Sequence, residues 1–120
     1  MVIYGIERGF RLTVGAYREI AEMMPNGNIE ELRDVLGSDD PFMTMGTIFR
    51  LAVIMNKWDE MQKKFSDPEY IENRPLSVEE LETLPMTDVV GDLKDEIVDA
   101  IIASQNTELT LKKTNEASDS

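Results

Sequence analysis

Apolar side chains fall on nearly every side of a helix drawn through residues 41–65, PFMTMGTIFRLAVIMNKWDEMQKKF. Pro41 takes the favoured first position of a helix, directly after Asp40. Two adjoining apolar stripes wrap the early turns. They narrow to one stripe that ends at Phe65, with the charged residues of the last turns outside it. The pattern predicts a helix over about 41–64. A helix that is apolar on nearly every side is either a buried central element or a surface that binds a partner.

Shorter amphipathic segments flank the central helix, and each carries a recognisable start signal. Thr13 is a suitable N-cap for the first of them, and Asn28 and Ser77 each stand three residues before a glutamate, as in a capping box. The final segment is capped by Thr87 or Asp88. The helices predicted besides the central one are 14–24, 29–36, 78–84 and a final helix that reaches about Gln105.

The remaining segments are short or polar. Val2–Tyr4 and Phe10–Leu12 flank two glycines, which predicts a short N-terminal β-hairpin or an extended lead-in. The proline-containing connector 66–76 is expected to hold one helical turn at 69–73, and the polar stretch 107–120 to be a flexible tail. The fold class is therefore mainly α: one domain, 1–106, built as a small helical bundle around the central helix.

The energetics of burial restrict where a partner can bind. Burying one Leu-, Phe- or Met-sized side chain stabilises a fold by about 1.5–3 kcal/mol, so leaving five in water forgoes roughly 10 kcal/mol. Because a whole domain has about 5–15 kcal/mol of stability, most of the central helix must be covered. Gly46 lies within the central helix and has two explanations: either another segment crosses close to its backbone, or the glycine is there by chance.

A partner surface is accordingly expected at the margins of the fold. The residues that we assign to it are Trp58, Met61 and Phe65 on the central helix, and Leu93, Ile97 and Ile101 on the final helix. On this interpretation Ile97→Asp spares the fold better than it spares binding. The final helix has two alternative roles, ordinary core packing or pairing with a second copy of the chain in a homo-oligomer.

Composition narrows the classes of function. The chain has no cysteine and no histidine, which removes thiol nucleophiles, imidazole bases and the usual zinc ligands. Its formal charge of −12 disfavours nucleic-acid binding. Asp39-Asp40 and the acidic group Asp95, Glu96 and Asp99 lack a third converging ligand, so no metal, cofactor or enzymatic role is expected. No apolar run is long enough to cross a membrane, and no export signal is visible, which favours the cytoplasm.

The order of the segments resembles that of a known family. The stretches FRLTVGAYREIAEMMP, NIEELRDVL, PFMTMGTIFRLAVIMNKWDEMQKK and LSVEELETLPMTDVVGDLKDEIVDAII follow one another over about residues 10–106. This arrangement resembles the tail assembly chaperones of long-tailed bacteriophages, especially those of Gram-positive hosts. The likeness lies in size, segment order and acidic helical character.

The resemblance implies a function and a set of partners. Such chaperones are small, mostly helical and non-enzymatic. They bind the long, apolar tape measure protein in the host cytoplasm, keep it soluble while the tail tube assembles, and are absent from the virion. A longer, frameshifted form recruits the major tail tube protein, and the Lys112-Lys113 pair stands where a slippery codon run would fall.

Two other classes of protein remain open. The first is a small helical connector or adaptor at a phage head–tail junction, which would stay in the virion. The second is an acidic decoy that mimics DNA and blocks a host protein, although the acidic residues gather toward one end of the chain.

Overall fold

The computed structural model describes residues 1–24 and 41–104, the side chains of 41–44 excepted. In these ranges the protein is mainly α-helical with one short antiparallel sheet, which confirms the predicted fold class. The predicted helix 29–36, the flexible tail 107–120 and the end of the predicted domain lie outside the described residues.

The N-terminal sheet is a hairpin tighter than the sequence suggests. Strand β1 (Val2–Ile3) pairs with β2 (Ile6–Glu7) in the register Val2↔Glu7 and Ile3↔Ile6. Tyr4 and Gly5 make the turn, with φ of 49° and 79°. Two positive φ values suit the twist of a two-residue hairpin, and glycine tolerates the second without strain. The segment 10–12, the other candidate strand, is not paired.

Helix α1 (Val14–Met23) begins where its N-cap was predicted. Thr13 Oγ1 accepts a hydrogen bond of 3.1 Å from the backbone N–H of Ala16, which satisfies one of the free donors of the first turn. Helix α2 (Pro41–Ser66) follows the undescribed segment and runs two residues beyond its predicted end. Both helices thus form close to where capping and periodicity place them.

Helix α2 is the central element of the core. The other helices and the hairpin contribute apolar residues to the cluster around it, and α2 contacts α1 and both of the helices that follow it in the chain. Its fully or almost fully buried apolar residues are Ile48, Phe49, Leu51, Ala52 and Met55. Over residues 45–66, whose side chains the structure describes, the expectation that most of the apolar surface of this helix is covered is confirmed.

Two helices complete the described fold. Helix α3 (Val78–Glu82) is capped as predicted, because Ser77 Oγ accepts a 3.1 Å hydrogen bond from the N–H of Glu80. Helix α4 occupies 86–104: it opens with the turn Met86–Asp88, passes through a π-helical segment, Val89–Leu93, and continues as an α-helix over 94–104.

The start of α4 differs from the predicted one. The helix begins at Met86 after Pro85, and no side chain caps it, so the predicted caps Thr87 and Asp88 are wrong. Instead, the carbonyl of Pro85 accepts from the N–H groups of Asp88 and Val89. Gly91 lies within the π-helical segment, where its low helix propensity weakens the regular hydrogen-bond ladder.

The connector between α2 and α3, residues 67–76, does not form the predicted helical turn at 69–73. Asp67 makes a tight turn by accepting from the backbone N–H groups of Glu69 and Tyr70, and the chain then runs extended. The N–H of Asn73 donates to the side chain of Glu60 on α2 rather than to a helical carbonyl. A long-range hydrogen bond has thus replaced a local one.

The close crossing of two helices lies at Gly15, not at Gly46. A Cβ placed on Gly15 would overlap the six-membered ring of Trp58, so only glycine lets α1 approach α2 this closely. No described atom comes within 4 Å of a Cβ placed on Gly46. The proposed crossing at Gly46 therefore finds no support in the described part of the chain.

The two glycines give a direct test of this crossing. We expect Gly15→Ala to destabilise the protein by about 1–3 kcal/mol, because the methyl group forces Trp58 or α1 to move. Gly46→Ala is the matched control, and we expect it to stabilise the helix by up to about 1 kcal/mol. Denaturant unfolding monitored by circular dichroism measures both values. Equal effects of the two substitutions would contradict the crossing.

No described helix is sufficiently long and apolar to span a lipid bilayer.

Candidate functional site

The six residues assigned to a partner surface lie in different environments. Phe65 is 84% exposed, and Trp58 and Met61 are half-buried. Leu93 and Ile97 are 0% exposed, and Ile101 is half-buried against the core. The three residues of α2 therefore reach the surface to differing degrees, whereas most of the assigned part of α4 does not.

Trp58 joins α1 to α2. Its ring lies against Gly15, and its indole N–H donates a 3.1 Å hydrogen bond to Glu19 Oε1 on α1. Lys57 forms an ion pair with the same glutamate, and its ammonium lies 5.3 Å from the centre of the indole ring. These contacts hold the tryptophan in one orientation, so its first role is to fix the helix pair.

An exposed apolar surface continues from this junction toward the end of α2. Met61 and Phe65 follow Trp58 by three and seven residues, so they lie on the same side of the helix. Val14, the first residue of α1, is 80% exposed and precedes Gly15, which contacts the tryptophan. We call Val14, Met61 and Phe65 the α1–α2 margin. It is an apolar surface that the described residues leave largely uncovered.

The assignment of Leu93 and Ile97 to a partner surface does not fit this conformation. Both side chains are fully buried, in the same cluster as Ile48 and Met55 of α2. A partner could contact them only if α4 left the core. The physical reason is that the apolar face of an amphipathic helix has the same pattern whether the protein's own core or another chain covers it.

The outer side of α4 borders an acidic groove of about 420 Å³. It is lined by Met1, Val2, Asp88, Asp92, Asp95, Glu96 and Asp99. The Met1 ammonium lies 3.0 Å from Glu7 and 3.1 Å from Glu96. Partial burial acts to lower the pKa of this amine, but its hydrogen bonds to the two glutamates outweigh burial and leave the pKa raised. Among the described residues, no group of acidic side chains is placed to hold a metal ion.

A buried polar layer lies between the N-terminal lead-in, α2 and the connector. It consists of Arg8, Asn56, Asp59 and Glu60, each at most 5% exposed. Asn56 Oδ1 accepts from Arg8 Nη1 at 3.2 Å, and Asn56 Nδ2 donates to the carbonyl of Gly9 at 2.9 Å. The sequence placed Asp59 and Glu60 outside the apolar stripe, among the charged residues. They are instead covered by segments distant in the chain.

Asp59 and Glu60 contact different neighbours, and Asp59 Oδ2 makes an ion pair but no hydrogen bond with the described residues. Asp59 lies 3.5 Å from Arg11 and 3.0 Å from Lys63, so it faces the lead-in and its own helix. Glu60 faces the connector: it accepts from the Tyr70 hydroxyl at 2.7 Å and from the backbone and side-chain nitrogens of Asn73 at 3.2 and 3.0 Å. Burial acts to raise the pKa of Glu60, but these hydrogen bonds outweigh it and leave the pKa lowered.

Arg8 is the least satisfied member of the layer. Its Nη1 donates to Asn56 and, at 2.6 Å, to the carbonyl of Arg74 in the connector. Among the residues that the structure describes, its buried Nε and Nη2 have no hydrogen-bond partner and no carboxylate forms an ion pair with the guanidinium. Burying a charge without a counter-charge is costly, so this arginine is an unusual feature of so small a core.

No protein-family model, curated protein or solved structure matches the sequence.

Burial of α4 gives a prediction that reverses the sequence-based one. Ile97→Asp places a carboxylate in the apolar core and should cost about 3–5 kcal/mol, a large part of the stability of the domain. Ile102→Asp is the matched control on the same helix, because Ile102 is 48% exposed. It should cost less than about 1 kcal/mol. Thermal unfolding compares the two, and an Ile97→Asp protein as stable as the control would contradict the buried position.

The lowered pKa of Glu60 makes the connector sensitive to acid. A lowered folded-state pKa contributes stability that is present above the ordinary value of 4.5 and is lost as pH falls through the folded value. We expect Glu60→Gln to cost about 1.5–3 kcal/mol at pH 7, and the difference from wild type to shrink below pH 4.5. Glu72→Gln, at an exposed position of the connector, is the control. Urea unfolding across this pH range measures both, and a pH-independent Glu60→Gln effect would argue against the carboxylate's role.

Proposed function

We propose that the protein is a tail assembly chaperone of a long-tailed bacteriophage, which binds the tape measure protein in the host cytoplasm and keeps it soluble. The observation that carries the proposal is the α1–α2 margin, an apolar surface outside the buried core cluster. Phe65 and Val14 are 84% and 80% exposed there. Val14 begins the helix that contacts Trp58, and Phe65 follows Trp58 by two turns on the same side of α2. Exposed apolar side chains grouped on one face are typical of sites that bind another protein.

The geometry of the margin suits a helical partner. Met61 and Phe65 are four residues apart on α2, so an apolar stripe of a partner helix can lie along them as in helix-in-groove recognition. Met61 adds a flexible thioether, which adapts to different apolar neighbours. A partner of low sequence specificity, such as a long amphipathic helix, therefore fits this surface.

The charge of the chain supports the same role. A protein that binds an aggregation-prone partner must itself remain soluble, and a formal charge of −12 opposes self-association. On this proposal the short chain binds only the tape measure protein, a longer frameshifted form recruits the major tail tube protein, and neither stays in the virion.

Co-expression tests the proposal. We expect the soluble fraction of the phage's tape measure protein to rise several-fold when this chain is co-expressed. The double variant Val14→Gln with Phe65→Gln should lose that effect while remaining folded, because both side chains are exposed. Ile71→Gln is the matched control, since Ile71 is 85% exposed but lies on the connector.

Two results would overturn the proposal. A tape measure protein that is equally insoluble with and without the wild-type chain would exclude the chaperone function. Detection of the chain by mass spectrometry of purified virions would favour the head–tail connector or adaptor instead. A double variant as active as wild type would leave the function but remove the α1–α2 margin as its site.

A further inference from the structure

We propose that the Nε–Nη2 edge of Arg8 is a binding site for a carboxylate, and that the connector 67–76 covers it. Arg8 is 0% exposed, and these two nitrogens are the ones that lack a partner. They form one side of the guanidinium fork, whose parallel N–H groups match the two oxygens of a carboxylate. The site is thus defined by a buried charge and by a matching pair of free donors.

The neighbouring residues leave this edge free while fixing the rest of the side chain. Asn56 and the carbonyl of Arg74 take up Nη1, and Asn56 is in turn held by the carbonyl of Gly9. Asp59 forms ion pairs with Arg11 and Lys63, although its Oδ2 accepts no hydrogen bond from the described residues. Glu60 is held by the connector, and neither carboxylate forms an ion pair with Arg8. The guanidinium is therefore oriented by its neighbours but not neutralised by them.

The connector is attached in a way that allows it to open. Its contacts with α2 and the lead-in are polar. Glu60 accepts hydrogen bonds from the side chains of Tyr70 and Asn73. Lys64 Nζ donates to the carbonyls of Pro68 and Tyr70, and Arg8 donates to the carbonyl of Arg74. Leu76 is its buried apolar residue, whereas Ile71 is 85% exposed. A segment with few apolar contacts opens at lower free energy than the core, and opening here uncovers Arg8.

Acetate is a direct probe of the site. In ¹⁵N-labelled protein, the Nε–H signal of Arg8 should shift saturably with acetate at constant ionic strength. Tyr70→Phe combined with Asn73→Ala removes two of the three hydrogen bonds to Glu60. The apparent affinity should then rise about tenfold, because the open state is more populated. Arg18, exposed on α1, is the control within the same molecule.

The source of the carboxylate is distinguished by a second probe. A blocked tripeptide with a central glutamate should compete with acetate in the double variant if the site takes a protein side chain. If acetate alone binds, the site takes small free carboxylates. Either result supports a carboxylate site at Arg8.

Three results would overturn the proposal. The first is the absence of a saturable acetate shift at Arg8 in both proteins, and the second is an equal shift with chloride. The third concerns Glu80, whose Oε2, like Asp59 Oδ2, is buried without a hydrogen-bond partner among the described residues. If Glu80→Gln moves the Arg8 signal as far as acetate does, Glu80 occupies the edge in solution and no external carboxylate is needed.

Discussion

The burial of the apolar sides of α2 is the constraint on which the rest of the structure depends. A helix with apolar residues on most sides cannot be covered by one neighbour, and α1, α3, α4 and the hairpin all supply side chains to the cluster around it. Within residues 45–66 of α2, the apolar surface that remains exposed lies toward the C-terminal end of the helix.

The two halves of the described α2 are covered by different kinds of contact. Toward its start, Ile48, Leu51 and Met55 are buried by apolar packing, which is strong and has no directional requirement. Toward its end, Asn56, Asp59 and Glu60 are buried by hydrogen bonds and ion pairs. Polar contacts specify where the lead-in and the connector lie, but they add less stability than apolar packing of equal extent. As a result, the first half of the described α2 lies in a closed apolar core, whereas the second half is covered less firmly by polar contacts.

Signals in the sequence predict the structure correctly where the two groups in contact are close together in the chain. Thr13 and Ser77 cap helices because the side chain and the N–H that it binds are three residues apart. The start of α4 was missed because its first turn uses the carbonyl of Pro85 and no side-chain cap. Similarly, nothing near Arg8 or Glu60 in the chain indicates that Arg74 and Asn73 will cover them.

The candidate site was predictable to the same extent. Phe65 lies at the exposed end of an apolar stripe, which the narrowing of that stripe indicates. Leu93 and Ile97 were assigned to a surface because periodicity identifies an apolar face without showing what covers it. Gly15 and Trp58 could not be paired from the sequence, because neither residue carries a signal for a partner so far away in the chain.

Hydrogen exchange of the free chain, and of the chain mixed with its proposed partner, a tape measure protein, tests most directly whether such a partner binds at the margin of a core that stays closed. We expect new protection of amides near Val14 and around Met61–Phe65, with amides around Leu93 and Ile97 exchanging as slowly as in the free protein. Faster exchange around Leu93 and Ile97 in the complex, with no change at the α1–α2 margin, would contradict it. That result would mean that α4 leaves the core to bind the partner.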